Sequence, residues 1–425
     1  MLDLKFIREN PELVKQAIEN KNEHDQIDAI IELDKKRREI IAEKENLEAQ
    51  KNKASKDIAI AKKQGQDASE PIEQMRLVGQ KIGELTNTLR DIETQLDNTL
   101  LTVPNLPHKS VPIARDESGN KIIGHVGELK QFDFKVRPHW EIGEIIGALD
   151  IPRGVKISGS GFYSLKGPGA LLERALINFM LDMHTTQHGY KEVVVPYISG
   201  PQAMIGSAQL PKLAEDMYHI ENDDLYLIPT AEVPVTNLHA GEILDIEDLP
   251  KYYCAFSPCF RREAGSYGKE VRGITRVHQF HKVEMVKIVE PESSYDELEK
   301  LRANAEVILQ KLELPYRIKF LCTGDMSFAS AKSYDLEVHA PGMDTWLEVS
   351  TCSNFESFQA RRMNLRYRPD KNSKPEFVHT LNGSGLALPR TMIAVLENYQ
   401  KTDGSVEVPQ VLRPYMRGIE TLEPI

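Results

Sequence analysis

The chain has 425 residues, 40% of them hydrophobic and 28% charged, which allows two or three domains with at least one large core and excludes disorder throughout. Its formal net charge of −11 argues against binding nucleic acid through bulk charge, so a polyanion has to be met by a local basic patch. Four cysteines, Cys254, Cys259, Cys322 and Cys352, are too few for a disulfide framework. We expect free thiols in a reducing, cytoplasmic compartment. His278 and His281 follow the only close cysteine pair, yet spectator thiols are a better reading than a zinc site. No stretch approaches the ~18 apolar residues of a membrane span, so no membrane association is expected.

From about Asp28 to Lys63 the chain is almost free of Gly and Pro, and Leu33, Ile40, Leu47 and Ala54 recur every seven residues. A turn-rich stretch with Gly65 and Pro71 precedes a second seam, in which Val78, Leu85 and Ile92 interleave with Ile82, Leu89 and Leu96. The pattern predicts an antiparallel two-helix coiled-coil arm over about 28–100. At ~1.5 Å per residue its first helix is about 54 Å long, more than compact packing needs. Between Lys44 and Lys63 six lysines face three carboxylates, so that part of the arm is locally basic. On spacing alone a solvated coiled-coil face is the better account of this, and phosphate contacts are the alternative.

Residues 101–115 carry three prolines and no helical period, marking a linker; the domains expected are 1–110 and 111–425. Helices are predicted near 169–188, 294–312 and 389–400, separated by many short strands, which points to an α+β fold on an antiparallel β-sheet. Neither G-x-G-x-x-G after a strand nor G-x4-G-K-[ST] occurs, which disfavours Rossmann and P-loop sites.

The segment from Cys259 to Val289 holds two strand-like runs around a polar, Gly-bearing loop. Period two puts Arg261 and Glu263 on one face of the first run, with Arg262 on the other. On the second run Arg276, Phe280 and Glu284 share a face opposite Val277, Gln279, Val283 and Met285. Two cations, an aromatic plane and two carboxylates suit a nucleotide beside an ammonium group. A ladder of exposed cross-strand ion pairs, at ~0.2 to 1 kcal/mol each, is an equally simple account of the alternation.

The full string, Phe-Arg-x-Glu, a polar loop, then Arg and His-Gln-Phe, resembles motif 2 of class II aminoacyl-tRNA synthetases. Further strings are similar to the seryl-tRNA synthetases within that class: Thr-Ala-Glu at 230–232, EVSTCSNFE, and TLNGSGLALPRTMIAVLENYQ, which looks like motif 3. GYKEVVVPYI looks like motif 1, with Pro196 where that family builds its dimer interface. The similarity runs over nearly the whole chain. Pro389 stands where the family often has Gly, and Thr351 where Ser is frequent. Proline suits the first turn of a helix, where its missing N–H is not needed.

The resemblance implies a class II catalytic core, a serine-tRNA ligase activity requiring ATP and Mg²⁺, and a homodimer. It implies serine activation to seryl-adenylate, then transfer to tRNA(Ser), with tRNA(Sec) a further candidate. It assigns catalytic roles to Arg261 at the α-phosphate, Arg390 at the γ-phosphate and Glu348 at the metal. Nucleotide contacts fall to Arg261, Arg262, Glu263, Arg276, Phe280, Glu348, Val349, Ser350, Thr351 and Arg390, with Phe280 stacked on adenine and Glu263 on its amino group. Thr230, Ala231, Glu232, Glu284, Asn382 and Ser384 are expected around serine. Glu348 and Ser350, expected to alternate onto one strand face, are the metal ligands, and Lys51, Lys53 and Lys56 the phosphate contacts of the arm. A carrier-protein loader with related chemistry normally lacks the hairpin, and an inert scaffold would carry eroded motifs; here Arg261, Glu263, Phe280, Glu284 and Arg390 are intact.

Overall fold

The computed structural model describes residues 1–264 and 272–425. The chain forms two compact units, one of 2–19 with 23–104, the other of 105–425 with residue 1 and residues 20–22.

In the first unit, α1 (Leu4–Glu9) and α2 (Pro11–Asn20) precede two long helices, α3 (Ile27–Lys63) and α4 (Ser69–Leu100). Asp3 caps α1 by accepting the Phe6 N–H at 3.0 Å, satisfying one of the donors a helix start leaves free. Of the predicted seams, Leu85 and Leu96 are buried and the remaining members half-buried. Arg37 pairs with Glu93 at 3.8 Å and Glu43 with Lys81 at 3.9 Å. As the first member advances along α3 the second retreats along α4, so the helices run antiparallel. Asp34, 1% exposed on α3, is held by Arg8 at 2.9 Å and Arg38 at 3.0 Å.

In the second unit eight strands among the described residues form one sheet: β1 (Lys121–Val126), β2 (Lys191–Glu192), β3 (Lys251–Phe260), β4 (Gln279–Val289), β5 (Tyr316–Phe320), β6 (Lys332–Ala340), β7 (Thr345–Asn354) and β8 (His379–Ala387). Their order is β1-β5-β6-β7-β8-β4-β3-β2, antiparallel throughout except for the β2–β3 pair. The helices that matter for the site are α5 (His139–Ile145), α6 (Pro168–Thr186), α7 (Glu232–Thr236), α8 (Ser294–Lys311), α9 (Phe358–Met363) and α10 (Leu388–Asn398). Leu172, Leu176 and Phe179 of α6, Leu301 and Ile308 of α8, and Met392 and Leu396 of α10 pack with Val283, Met285 and Cys352 in the main core. One face of the sheet is therefore covered by helices, and alternation turns Phe280, Lys282 and Glu284 of β4 to the other.

Two bulges set what faces where. Leu336 pairs with Ser350 and Glu337 with Glu348, leaving Val349 as an extra residue in β7. Glu284 pairs with Ser384 and Val283 with Leu386, leaving Gly385 extra in β8. A Cβ on Gly385 would lie 2.5 Å from His184 Nε2 of α6, so the helix can approach here only because the residue is glycine.

Candidate active site

β4 carries the centre of the site. Glu284, 2% exposed, accepts the Thr230 hydroxyl at 3.0 Å and Lys282 Nζ at 2.5 Å. Thr230 Oγ1 in turn accepts the Glu232 N–H at 3.2 Å, fixing the turn that starts α7. Gln359 of α9 donates to the Glu232 carboxylate at 2.7 Å, and Asn382 of β8 lies beside it. Burial, reinforced by the Glu284 charge, pushes the Glu232 carboxyl up to about 7, against the opposing pull of Lys282 and Gln359. Ser384, 9% exposed, pairs with Glu284 across the ladder. Ala231 is fully buried, packed with Val195, Val235 and Val286.

The second cluster lies around Arg261, Phe280, Glu348 and Arg390. The Arg261 guanidinium sits 5.2 Å from the Phe280 ring centroid, while its Nε donates to the Pro229 carbonyl at 3.3 Å. Arg390, in the first turn of α10 just after Pro389, donates from Nη1 to the Glu348 carbonyl at 2.8 Å and from Nε to the Thr275 carbonyl at 3.3 Å. The Arg390 guanidinium also lies 3.9 Å from the Glu348 carboxylate. Burial raises the pKa of Glu348, but Arg390, the Thr351 hydroxyl, Lys319 and Arg261 outweigh it and hold the carboxyl below its usual range. Its neighbour Asp335 goes the other way, pushed well up by burial and then by the Glu348 charge. The two neighbouring carboxyls are thus shifted in opposite directions.

Two expectations of strand geometry are corrected. β3 ends at Phe260 and Glu263 has φ +51°, so Arg261 and Glu263 do not share a strand face by alternation. The left-handed turn instead brings Glu263 Oε2 to 2.7 Å from Arg276 Nη1. Arg262 is exposed, its N–H donating to the Asp216 carbonyl at 2.9 Å. Ser350 does not share a face with Glu348, because the extra residue Val349 reverses the alternation. The Ser350 hydroxyl, 1% exposed, donates to the Ser384 carbonyl at 2.7 Å beside the core thiol of Cys352. Val349 is buried in the main core. It is the Thr351 hydroxyl that stands 3.0 Å from Glu348 Oε1 and 2.8 Å from Asp335 Oδ1. The loop between the two runs falls on residues 265–271, outside the described residues. The four cysteines are buried and unpaired.

Sequence reasoning missed Lys282, Gln359 and Asp335. Lys282 was within reach, since period two places it between Phe280 and Glu284. Asp335 meets Thr351 through strand register and Gln359 meets Glu232 through a distant helix, neither of which leaves a local signal.

A seven-strand antiparallel run flanked by three core helices, with arginines and carboxylates gathered on its open face, is the architecture of a class II aminoacyl-tRNA synthetase core. Residues 216–399 match the family model described as tRNA synthetase class II core domain (G, H, P, S and T), and residues 1–107 match that of the seryl-tRNA synthetase N-terminal domain. The chain is 55% identical over 418 residues to a serine-tRNA ligase of Thermomicrobium roseum, covering 98% of this chain and 94% of that one. It is 53% identical over 422 residues to a serine-tRNA ligase of Geobacter sulfurreducens, covering 99% and 100%. The seryl-tRNA synthetase of Pyrococcus horikoshii, solved in complex with ATP, superposes with a TM-score of 0.94 at 39% identity over 100% of both chains. The chain belongs to the seryl-tRNA synthetase family.

Proposed function

We propose that this chain is an ATP-dependent serine-tRNA ligase that activates L-serine as seryl-adenylate and passes the seryl group to the 3′ end of tRNA(Ser). The observation that carries this reading is the convergence on one sheet face of a small polar pocket, Thr230, Glu232 and Glu284, with the Arg261, Phe280, Glu348 and Arg390 cluster. In the first step a serine carboxylate oxygen bonds to the α-phosphorus of ATP and the bond to the β-phosphate oxygen breaks, releasing pyrophosphate. Both reactants are anions, so the task is to bring them together and neutralise charge rather than to supply a nucleophile. Arg261 meets the α-phosphate with a planar fork of donors, Phe280 stacks on adenine, and Arg390 holds the γ-phosphate. Glu263, drawn into place by Arg276, accepts from the adenine amino group. In the second step a terminal ribose hydroxyl bonds to the seryl carbonyl carbon and AMP leaves.

Glu232 faces the serine ammonium, while Thr230, Glu284, Asn382 and Ser384 surround the small side chain. A buried polar pocket rejects an analogue without the hydroxyl because its own donors and acceptors are then left unpaired. The Glu348 carboxylate and Thr351 hydroxyl are hard oxygen donors 3.0 Å apart, which suits Mg²⁺. The chain would supply these two oxygens and leave the rest to phosphate and water. The ion, when bound, neutralises phosphate charge.

Lys51, Lys53 and Lys56 are exposed on α3 and suit phosphates of the tRNA, recognised by shape and backbone charge; tRNA(Sec) is a second candidate for the same grip. Exposed Val194, Tyr197 and Ile198 flank Pro196, an apolar stretch suited to a second copy of the chain in a homodimer. No helix among the described residues is long and apolar enough to cross a membrane, and the unpaired thiols suit a cytoplasmic site. The test is serine-dependent exchange of labelled pyrophosphate into ATP, with tRNA charging measured on the parent and on a Lys51, Lys53, Lys56→Glu variant. Exchange without loss of charging in the variant would reject the arm's role, and no exchange in the parent would reject the activity.

A further inference from the structure

Outside the groups assigned above, His139 on α5 and Glu397 on α10 form a pair in which both side chains are 0% exposed. Glu397 Oε1 accepts the His139 backbone N–H at 2.9 Å and stands 3.0 Å from the ring Nδ1. Its Oε2 accepts the N–H groups of Gly342 at 2.8 Å and Met343 at 3.2 Å, in the turn between β6 and β7. The other ring nitrogen, Nε2, accepts the Ile274 N–H at 3.1 Å. A nitrogen that accepts carries no proton, so the imidazole is neutral and its Nδ1–H donates to Glu397. The approach leaves no room beside the ring. A Cβ on Gly273, which has φ +79°, would fall 2.0 Å from His139 Nε2.

Arg390 and Glu397 are seven residues apart on α10 and share a face of that helix. Ile274 is tied to this face through His139, and Thr275 directly through Arg390 Nε. Beside His139, the Trp140 ring holds the Arg272 guanidinium 4.6 Å from its centroid. An apolar pair of the same volume would fill this space without desolvating a carboxylate, so the polar pair is not the cheaper way to stabilise the fold. Its hydrogen bonds go to backbone N–H groups of three separate segments, and that specifies geometry.

We infer that His139 and Glu397 are positioning residues for the nucleotide half of the site, holding residues 272–275 against α10 so that Arg276 and Arg390 present their guanidinium groups in register with a triphosphate. The inference rests on the proposed reading that these arginines serve ATP. A misplacement of about 1 Å in such a site costs up to ~10²-fold in rate.

The test uses the full chain and pyrophosphate exchange, with KM for ATP and for serine measured separately beside Tm. His139→Leu is expected to raise KM for ATP at least ~10-fold while KM for serine stays within about twofold. His139→Gln, whose amide offers both N–H donors and a carbonyl acceptor, is expected to return KM for ATP to within about threefold of the parent. A folded His139→Leu with parental KM for ATP, or with both constants raised together, would overturn the assignment. Unfolding of both variants would overturn it too, placing the pair in stability alone. If only His139→Leu fails to fold, Glu397→Gln decides by the same two constants. A parent without serine-dependent exchange strikes the proposed activity, not the pair.

Discussion

The Thr230 hydroxyl donates to the Glu284 carboxylate across 3.0 Å, tying the turn before α7 to the middle of β4. Lys282 approaches the same carboxylate at 2.5 Å, so Glu284 has its charge balanced before any ligand arrives. A hydroxyl-bearing ligand entering here is met by an ordered array whose hydrogen bonds are already oriented, and orientation is what discriminates between small side chains.

Thr230→Val keeps the shape of the residue and removes the donor. A hydrogen bond to a charged group is worth about 1.5 to 3 kcal/mol, so kcat/KM for serine should fall roughly 10- to 100-fold. KM for ATP should be unchanged. Equal losses for the two substrates in pyrophosphate exchange would place Thr230 in the scaffold instead of the pocket.

Arg261→Ala should reduce activation at least ~10²-fold, the loss seen when one preorganised charge contact at about 2.7 to 4 kcal/mol is removed. Arg261→Lys should recover little of it, because a point charge can neither reproduce the planar fork nor lie over the Phe280 ring in the same way. Single-turnover formation of adenylate is the direct measurement; activity within fivefold of the parent for the alanine variant would refute the placement.

Glu232 gives the site a pH dependence with a definite sign. Its carboxyl is pushed up to about 7 from an ordinary value of 4.5, so between those two values the folded chain holds a proton that the unfolded chain has released. The stability this contributes is complete below the unfolded value and is lost as pH rises through about 7. Serine binding runs the opposite way, since its ammonium prefers the ionised carboxylate. KM for serine should therefore fall as pH rises from 6 to 8, with Tm falling over the same interval, and Glu232→Gln should flatten both. A serine KM that rises with pH over that window would exclude Glu232 as the ammonium partner.

Much of this arrangement was legible in the chain. Leu33, Ile40, Leu47 and Ala54 announce α3 because a seven-residue repeat survives only on one helix face, and Phe280 with Glu284 announce the open face of β4 because strands alternate. What failed was geometry decided by a single inserted residue. Val349 has the composition of an ordinary strand residue, and only its pairing with β6 reveals it as the bulge that turns Ser350 to the core. Asp335 was invisible for the same reason, its meeting with Thr351 being a matter of register. His139 and Glu397, 258 residues apart in sequence, carry no local mark of their pairing.

The bulge makes Ser350 and Thr351 separable by experiment. Thr351 Oγ1 is the hydroxyl beside Glu348, so Thr351→Val should raise the Mg²⁺ concentration needed for half-maximal exchange several-fold while leaving the fold intact. Ser350 spends its hydroxyl on the Ser384 carbonyl, behind the site. Ser350→Ala should leave the Mg²⁺ requirement unchanged and lower stability by about 1 kcal/mol, the usual net worth of one hydrogen bond. Mg²⁺ titrations of exchange activity, paired with denaturant melts, separate the two residues. If Ser350→Ala shifts the Mg²⁺ requirement and Thr351→Val does not, the strand alternates without interruption at the bound metal and the bulge at Val349 plays no part in ligand selection.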